Sequence, residues 1–319
     1  MNDTVIAMLL DDMKGEHQAI IQYLRHAYAL GETAEAAEIE GIAREEMRHF
    51  HWLADAVVEL GGDPTMERLP VDESLAPPKT QMLKDVDLEQ QAIDQYRDHI
   101  ERIDDPKIRR LLSRILHDEL VHKGQFADFA DEFAGEGEAA ETPEQGGEQP
   151  SAEIASRLKE ILNQGVRHEY SVVLQYLYHA FLTPDKEPAE EIEDIAINEM
   201  QHLGWLAEEM FEKGGDPSFE HGELVLTDDI ATNLQADIDV EHEVTEDYSE
   251  QLSELSEEEL KELVERIRDH EIHHAAVFQY LLEEAKEEAA PPAKEPPEED
   301  EESKGPKAPP IIGSLIDRH

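Results

Sequence analysis

The chain has 319 residues, enough for about two domains, and its hydrophobic fraction of 39% is typical of a globular protein rather than a wholly disordered one. Its formal net charge of −51 argues against binding to nucleic acid or to an anionic membrane and favours attraction of cations. The chain contains no cysteine, which excludes disulfides, thiolate metal sites and iron–sulfur centres, and with them an attached rubredoxin-type module.

Apolar residues that recur at helical spacing predict four helices in the first half of the chain. We place them at residues 3–30 (A), 33–60 (B), 81–103 (C) and 106–133 (D). A glycine pair followed closely by proline ends helix B, and residues 61–79 are too rich in proline and glycine to form a helix. About nineteen extended residues at ~3.3 Å each span ~60 Å, enough for a crossover along a four-helix bundle.

The second half of the chain repeats the first. Glu16 and Glu169 are 153 residues apart and Glu89 and Glu241 are 152 apart, so one deletion between helices B and C relates the halves. We therefore predict an all-α protein with two tandem bundles. The predicted segments are a first bundle (1–133), a flexible acidic linker (134–152), a second bundle (153–285), a disordered tether rich in Pro, Glu and Lys (286–310) and an apolar tip (311–319).

Each half carries two Glu-x-x-His sequences on predicted helices. An i, i+3 pair lies on one helix face about 5–6 Å apart, so its carboxylate and imidazole can reach the same metal ion. The four pairs are Glu46 with His49, Glu119 with His122, Glu199 with His202, and Glu271 with His274. The remaining helices each offer one glutamate, namely Glu16, Glu89, Glu169 and Glu241.

This ligand set predicts a buried dinuclear metal site in each bundle. In the first bundle Glu46 and Glu119 are assigned as bridging ligands, Glu16 and Glu89 as terminal ligands that each bind one ion, and the second bundle repeats the arrangement. In so acidic a sequence a single Glu-x-x-His pair arises readily on a solvated helix face, but four pairs in register favour metal sites. Burying four carboxylates without cations would be very costly. Carboxylate and imidazole ligands suit iron and also manganese.

Three of these motifs resemble the bacterioferritin branch of the ferritin-like superfamily. They are EEMRH at residues 45–49, GGDPT at 61–65 and DELVH at 118–122, and the similarity extends over residues 3–133 and 153–285. The resemblance implies a ferroxidase that binds two iron ions per bundle and oxidises Fe²⁺ with O₂ or H₂O₂. The fused tandem departs from the single-bundle subunits of storage shells, so formation of such a shell by this chain is not expected.

Two pairs of residues near the ligands match across the repeat. Tyr23 and Tyr176 lie seven residues after the first glutamate of each half, on the same helix face. The resemblance implies that such a tyrosine can supply an electron, while the alternative is a core residue whose hydroxyl bonds a carboxylate. For His26 and His179 we favour positions behind the ligands or at the surface over metal binding.

Met47 and Met200 occupy the position that resembles the haem-ligating methionine of bacterioferritins. They project about 100° from the neighbouring metal-binding glutamate, on a second apolar face of helix B. We therefore predict that the two bundles pack together through their B helices, or that each packs against another chain. Haem b between the two methionines is one interpretation, and methionine as a soft filler of the interface is the other, which we favour.

The apolar tip resembles the targeting peptide of cargo proteins carried by encapsulin nanocompartments. Its residues are Ile311, Ile312, Gly313, Ser314, Leu315 and Ile316. Four aliphatic side chains are too few to fold alone but can fill a preformed pocket, and glycine permits close backbone approach. The resemblance implies an encapsulin shell protein as partner, against a stray apolar tail or a self-docking strand.

Taken together, these features predict a cytoplasmic ferroxidase held inside an encapsulin shell, where oxidised iron mineralises. No segment approaches eighteen consecutive apolar residues, so no membrane span is expected. A peroxide-scavenging di-iron or di-manganese enzyme and a non-catalytic iron-binding buffer remain as alternatives.

Overall fold

The computed structural model describes residues 2–74, 76–135 and 152–289, and the described residues form eight α-helices and their connecting loops, with no strand. The helices are α1 (Asn2–Leu30), α2 (Ala34–Glu59), α3 (Pro78–Arg102), α4 (Pro106–Gly135), α5 (Ala152–Leu182), α6 (Lys186–Glu212), α7 (Ile230–Gln251) and α8 (Glu258–Ala289). This confirms the all-α prediction, with helix ends that differ from the predicted ends by a few residues. No described helix is long and apolar enough to cross a membrane.

The repeated Gly-Gly-Asp-Pro sequence ends the second helix of each half in the same way. Gly61 has φ 81° and Gly214 has φ 65°, a left-handed conformation that glycine adopts without steric cost. The next glycine closes the turn, because Gly62 N–H donates to Val57 O and Gly215 N–H donates to Met210 O, at 2.9 and 2.8 Å. These are Schellman motifs, which satisfy the last carbonyl groups of each helix.

Helices pair as neighbours in the chain, α1 with α2 and α3 with α4, and the second half repeats this with α5 to α8. Long non-helical segments separate the pairs, at residues 60–77 and 213–229, as the predicted crossover requires. The predicted linker at 134–152 lies almost entirely outside the described residues, and so do the tether and the apolar tip. Helix α8 continues to Ala289, four residues beyond the predicted end of the second bundle.

A continuous hydrophobic core extends across both halves, and a separate cluster that includes Tyr176 and Phe278 lies within the second half. The continuous core joins Leu9 and Leu53 of the first half to Leu162 and Leu206 of the second, all of them at most 1% exposed. Burial of apolar side chains therefore holds the halves to each other as well as each half to itself.

The two halves meet about a local two-fold axis, with α1 against α6 and α2 against α5. His17 and Tyr170, which are equivalent by the repeat, meet each other, and the tyrosine hydroxyl lies 2.7 Å from His17 Nε2. Burial lowers the pKa of His17 to about 3, so the ring is neutral and accepts this hydrogen bond.

Away from the axis, equivalent positions carry different contacts. Arg25 donates to Asp216 Oδ1 and to Pro217 O, both at 2.8 Å. Its counterpart Tyr178 donates instead to Asp63 Oδ1 at 2.8 Å. The interface is thus two-fold in shape but asymmetric in chemistry.

The prediction that the bundles pack together through their B helices needs one correction, because both B helices, α2 and α6, lie in the interface but each packs against the first helix of the other half. Helices α2 and α6 flank a cavity of about 700 Å³ between the halves, and the halves pack closely where α1 meets α6 and where α2 meets α5. His51 and Glu193 do reach across, with Nδ1 and Oε1 2.8 Å apart. The second apolar face of each B helix, α2 or α6, is therefore covered in part by the first helix of the other half, α5 or α1. The rest of that face lines the cavity.

Candidate metal centres

The structure brings the twelve predicted ligand residues together in two compact clusters, one per half. In each group of four, one ligand atom per residue lies within 4.8 Å of all the others. The groups are Glu16, Glu46, His49 and Glu119; Glu46, Glu89, Glu119 and His122; Glu169, Glu199, His202 and Glu271; and Glu199, Glu241, Glu271 and His274. Two glutamates in each half belong to both of its groups, which is the arrangement of carboxylates that bridge two ions.

Every helix of a half contributes to its cluster at the same level of the bundle. In the first half, α2 and α4 each present a Glu-x-x-His pair, and α1 and α3 each present one glutamate. All twelve residues are buried, at 0–4% exposure. Because i and i+3 share a helix face, each pair turns both side chains into the bundle.

The imidazoles point their Nδ1 atoms at the carboxylates. His49 Nδ1 lies 2.8 Å from Glu46 Oε2 and 3.0 Å from Glu119 Oε1. In the second half, His202 Nδ1 lies 2.7 Å from Glu199 Oε2. Nδ1 is therefore the ligand atom on offer, and each Nε2 points outward.

Four tyrosines hold the carboxylates of the single-glutamate helices in a reciprocal pattern. Tyr23 on α1 donates to Glu89 Oε1 on α3 at 2.6 Å, and Tyr96 on α3 donates back to Glu16 on α1. Tyr176 likewise donates to Glu241 Oε1 at 2.7 Å, and Tyr248 donates to Glu169 in the second half. In Glu89 and Glu169 the other carboxylate oxygen, Oε2, has no hydrogen-bond partner.

The roles of Tyr96 and Tyr248 were missed in the sequence, although a signal was present. Each follows the glutamate of its own helix by seven residues, the spacing that singled out Tyr23 and Tyr176. All four tyrosines are at most 2% exposed, and burial together with the nearby carboxylates raises their pKa above the ordinary value.

His26 and His179 lie behind the clusters, which excludes the surface position that was one of the two predictions for them. His26 Nδ1 is 2.7 Å from Asp85 Oδ2, and His179 Nδ1 is 2.9 Å from Asp237 Oδ2. Each aspartate stands one turn before the glutamate of the same helix, and a glutamine of the first helix donates to it. This polar layer fixes the helices that carry the terminal glutamates.

Burial dominates the acid–base properties of the clusters. It raises the pKa of Glu16 and Glu119 to about 8, and repulsion from the charge of Glu46 adds to the effect. Burial opposes ionisation of Glu46 too, but hydrogen bonds from His122 and His49 outweigh it and lower its pKa to about 2.

For the imidazoles, burial changes the pKa in the opposite direction. Burial favours their neutral form, yet hydrogen bonds to the carboxylates raise the pKa of His122 and of His274 to about 9. Near pH 7 the clusters therefore hold protons on imidazoles and on some carboxylates. These protons sit where cations would otherwise balance the charge.

The donor atoms of the clusters are not all satisfied by one another. Within the described part of the chain, seven buried oxygen and nitrogen atoms of the clusters form no well-aligned hydrogen bond, although most lie close to an oppositely charged cluster atom, as Glu46 Oε1 does to His122 Nδ1 at 2.8 Å. They are Glu46 Oε1, Glu89 Oε2, Glu119 Oε1, His122 Nδ1, Glu169 Oε2, Glu199 Oε1 and Glu271 Oε1. Buried polar atoms rarely stay unpaired, and carboxylate oxygens with imidazole nitrogens are a donor set for divalent transition metals.

Met47 and Met200 lie away from the clusters, in the wall of the cavity between the halves. Trp52 and Trp205 share that wall, and their rings are 5.9 and 5.7 Å from the rings of His49 and His202. The cavity is thus separated from each cluster by one aromatic layer. The predicted targeting peptide, residues 311–316, falls outside the described residues.

Comparisons with known proteins agree with this architecture. Residues 6–135 match the Ferritin family, described as a ferritin-like domain, and residues 162–313 match the Ferritin-like family. No curated protein matches the chain.

Among solved structures, an X-ray structure of Desulfovibrio desulfuricans bacterioferritin, whose diiron site is described in different catalytic states, is 26% identical. The similarity covers 42% of this chain and 83% of that one, with a TM-score of 0.40. With both halves matched by family and folded alike, the chain consists of two ferritin-like domains in tandem.

Proposed function

We propose that each domain is a ferroxidase that binds two iron ions in its cluster and oxidises Fe²⁺ to Fe³⁺ with O₂ or H₂O₂. The observation that carries the proposal is the pair of buried four-carboxylate, two-imidazole clusters, each with two overlapping groups of ligands. Iron in such a site gives one electron per ion to the oxidant, and two protons accompany the reduction of O₂ to H₂O₂.

The chain's own residues supply the conditions for this chemistry. Glu46 and Glu119 lie in both groups of the first domain and would bridge the ions, while Glu16 and Glu89 would each bind one. Tyr23 and Tyr96 donate to the terminal glutamates and limit how far these carboxylates swing. The hydrogen bond of Tyr23 to Glu89 supports the structural interpretation of this residue, and its burial beside the cluster is compatible with electron donation.

The first test is iron oxidation by the full chain in air. Adding Fe²⁺ is expected to produce ferric absorbance, and Glu46→Gln combined with Glu199→Gln is expected to reduce the rate to that of buffer alone, because each substitution removes a carboxylate shared by both groups. The matched control is Glu38→Gln with Glu191→Gln, exposed glutamates equivalent by the repeat.

The stoichiometry of the same experiment separates an enzyme from a buffer. A ferroxidase oxidises more than four Fe²⁺ per chain, one for each group of ligands, whereas a buffer saturates there. Equal rates for the cluster variant and the control would contradict the proposal. Preference for H₂O₂ without accumulation of Fe³⁺, with manganese in the native protein, would favour the peroxide-scavenging alternative.

Metal binding is expected to depend on pH with a definite sign. Glu16, Glu119 and His122 have pKa values of about 8 to 9 in the metal-free protein, so they carry protons at pH 7 that a cation must displace. Affinity should therefore rise from pH 6 to pH 9 and level off above. Anaerobic addition of Co²⁺ in weak buffer with an indicator dye should show proton release at pH 7, and binding without proton release would be the contrary result.

The second part of the proposal concerns location. The segment 311–319 resembles an encapsulin-targeting peptide at the end of a long acidic tether, and we propose that it delivers the chain to an encapsulin shell in the cytoplasm. A shell would retain the Fe³⁺ that the two domains produce.

Co-expression with an encapsulin shell protein tests this. The full chain is expected to purify with the shell, and deletion of residues 311–319 or Ile312→Asp with Leu315→Asp should release it, because charged side chains cannot fill an apolar pocket. Asp317→Asn is the control that leaves the aliphatic residues in place. Equal recovery of all forms with the shell would refute targeting by this segment.

The cavity between the domains supports a second candidate function, the binding of haem b. Its volume of about 700 Å³ and its mostly apolar walls, with Met47 and Met200 facing it from equivalent positions, suit haem b better than the filler role favoured from the sequence. The two methionines would hold the iron of the haem, which would supply a one-electron carrier between the domains.

Protein produced with haem available is expected to show a Soret band, and Met47→Leu with Met200→Leu should shift or remove it, since leucine fills similar volume without the thioether. Met66→Leu, a buried methionine outside the cavity, is the control. A chain that purifies without a Soret band from haem-supplemented cells would leave methionine as interface filler.

A further inference from the structure

The two clusters have the same six ligands by type but different surroundings. The outward Nε2 atoms of the four histidines meet four residues that occupy equivalent positions in the repeat. In the first domain these are Asp118 and Glu45, and in the second domain they are His270 and Asn198. The outer partners are therefore two carboxylates in one domain and two neutral side chains in the other.

In the first domain one of these contacts is a hydrogen bond and the other is a longer ion pair. His122 Nε2 lies 2.9 Å from Glu45 Oε2, and His49 Nε2 lies 3.5 Å from Asp118 Oδ2. Asp118 is only 14% exposed, whereas Glu45 is 46% exposed, so Asp118 carries the larger electrostatic effect.

In the second domain His202 Nε2 lies 2.8 Å from His270 Nδ1, and His274 Nε2 lies 2.9 Å from Asn198 Oδ1. With Nδ1 turned toward the cluster, Nε2 carries the hydrogen that each contact needs. An amide oxygen or a neutral ring nitrogen accepts that hydrogen without adding a negative charge.

Neighbouring arginines do not cancel the difference. Arg114 pairs with Asp118 at 2.9 Å in the first domain, so that pair adds no net charge. Its equivalent in the second domain, Arg266, stands over the ring of Trp205 at 5.6 Å, beside the neutral His270. The first domain thus has a neutral Asp118–Arg114 pair where the second domain has the positive charge of Arg266 beside a neutral histidine. The surroundings of the second cluster are therefore more positive by one charge.

An imidazole that donates to a carboxylate is a stronger ligand at its other nitrogen, and nearby negative charge favours a cation of higher charge. We propose, on the basis of the function proposed above, that the two centres are unequal. The centre of the first domain binds divalent metal more tightly and stabilises Fe³⁺ more strongly, whereas the centre of the second domain is weaker and more easily reduced. Asp118 and His270 act as positioning residues that set this difference.

The test uses the full chain with one centre disabled at a time. Glu199→Gln with Glu271→Gln leaves the first centre, and Glu46→Gln with Glu119→Gln leaves the second. Anaerobic titration with Co²⁺, followed by visible absorption and calorimetry, is expected to give an affinity about 10- to 100-fold higher for the first centre. Redox titration of the iron-loaded forms should give the lower midpoint potential for the same centre.

Exchange of the outer partners gives the decisive comparison. Asp118→His with Glu45→Asn should weaken Co²⁺ binding by the first centre by about 10- to 100-fold, and His270→Asp with Asn198→Glu should strengthen binding by the second. Asp128→His, an exposed change on the same helix as Asp118, should have no effect. If the histidine exchange disturbs folding, as judged by circular dichroism, the near-isosteric Asp118→Asn provides the same comparison.

The outcomes separate this inference from the proposed function. Equal affinities of the two centres, or affinities that the exchange does not move, overturn the inequality while leaving the ferroxidase proposal intact. If neither centre binds Co²⁺ or Fe²⁺, both the inequality of the centres and the ferroxidase proposal are overturned.

Discussion

The burial of four carboxylates at one level of each bundle is the constraint on which the rest of the structure depends. An isolated charge in an apolar interior is very unfavourable, so each carboxylate needs partners that surround it. The chain supplies imidazoles from α2 and α4 and tyrosine hydroxyls from α1 and α3. These partners satisfy one side of each carboxylate and leave the inner oxygens, several of them unpaired, directed at the centre of the cluster.

This constraint explains why all four helices of a domain must be held in register. A shift of one helix by one turn moves its ligand by about 5.4 Å, which exceeds the length of any contact in the cluster. The reciprocal tyrosine hydrogen bonds connect α1 to α3. The His26–Asp85 pair connects the same two helices one turn away, and the His179–Asp237 pair does so for α5 and α7. Charged and polar contacts thus specify the register, while the apolar core supplies most of the stability.

Fusion of the two domains in one chain changes what the interface between them can contain. In a symmetric dimer of identical subunits a substitution appears on both sides of the two-fold axis at once. Here the sides differ, so His17 meets Tyr170, and Arg25 and Tyr178 reach equivalent aspartates with different groups. The His17–Tyr170 pair fits the first domain to the second, because two copies of either domain would bring two histidines or two tyrosines together at this position.

The helices and the ligand residues of the clusters could be predicted from the sequence because both depend on local spacing. Seven-residue and three-residue separations place side chains on a known face, and the internal repeat doubled each signal. Tyr96 was missed although it follows Glu89 by the same seven residues. Its hydrogen bond to Glu16 depends on the relative register of α1 and α3, which is a tertiary property. The packing of the B helices was mispredicted for a similar reason, since an apolar face shows that something covers it but not which helix does.

The place where the two domains have diverged follows from the same energetics. Replacing a ligand would leave a buried carboxylate or imidazole without its partner, at a cost of about 3–5 kcal/mol, so the six ligands have the same types in both domains. Positions 118 and 45, with their equivalents 270 and 198, are partly exposed and touch only the outer edge of the imidazoles. A change there alters the charge felt by the cluster without removing a contact inside it, so the properties of two otherwise identical centres can separate at these positions with little loss of stability.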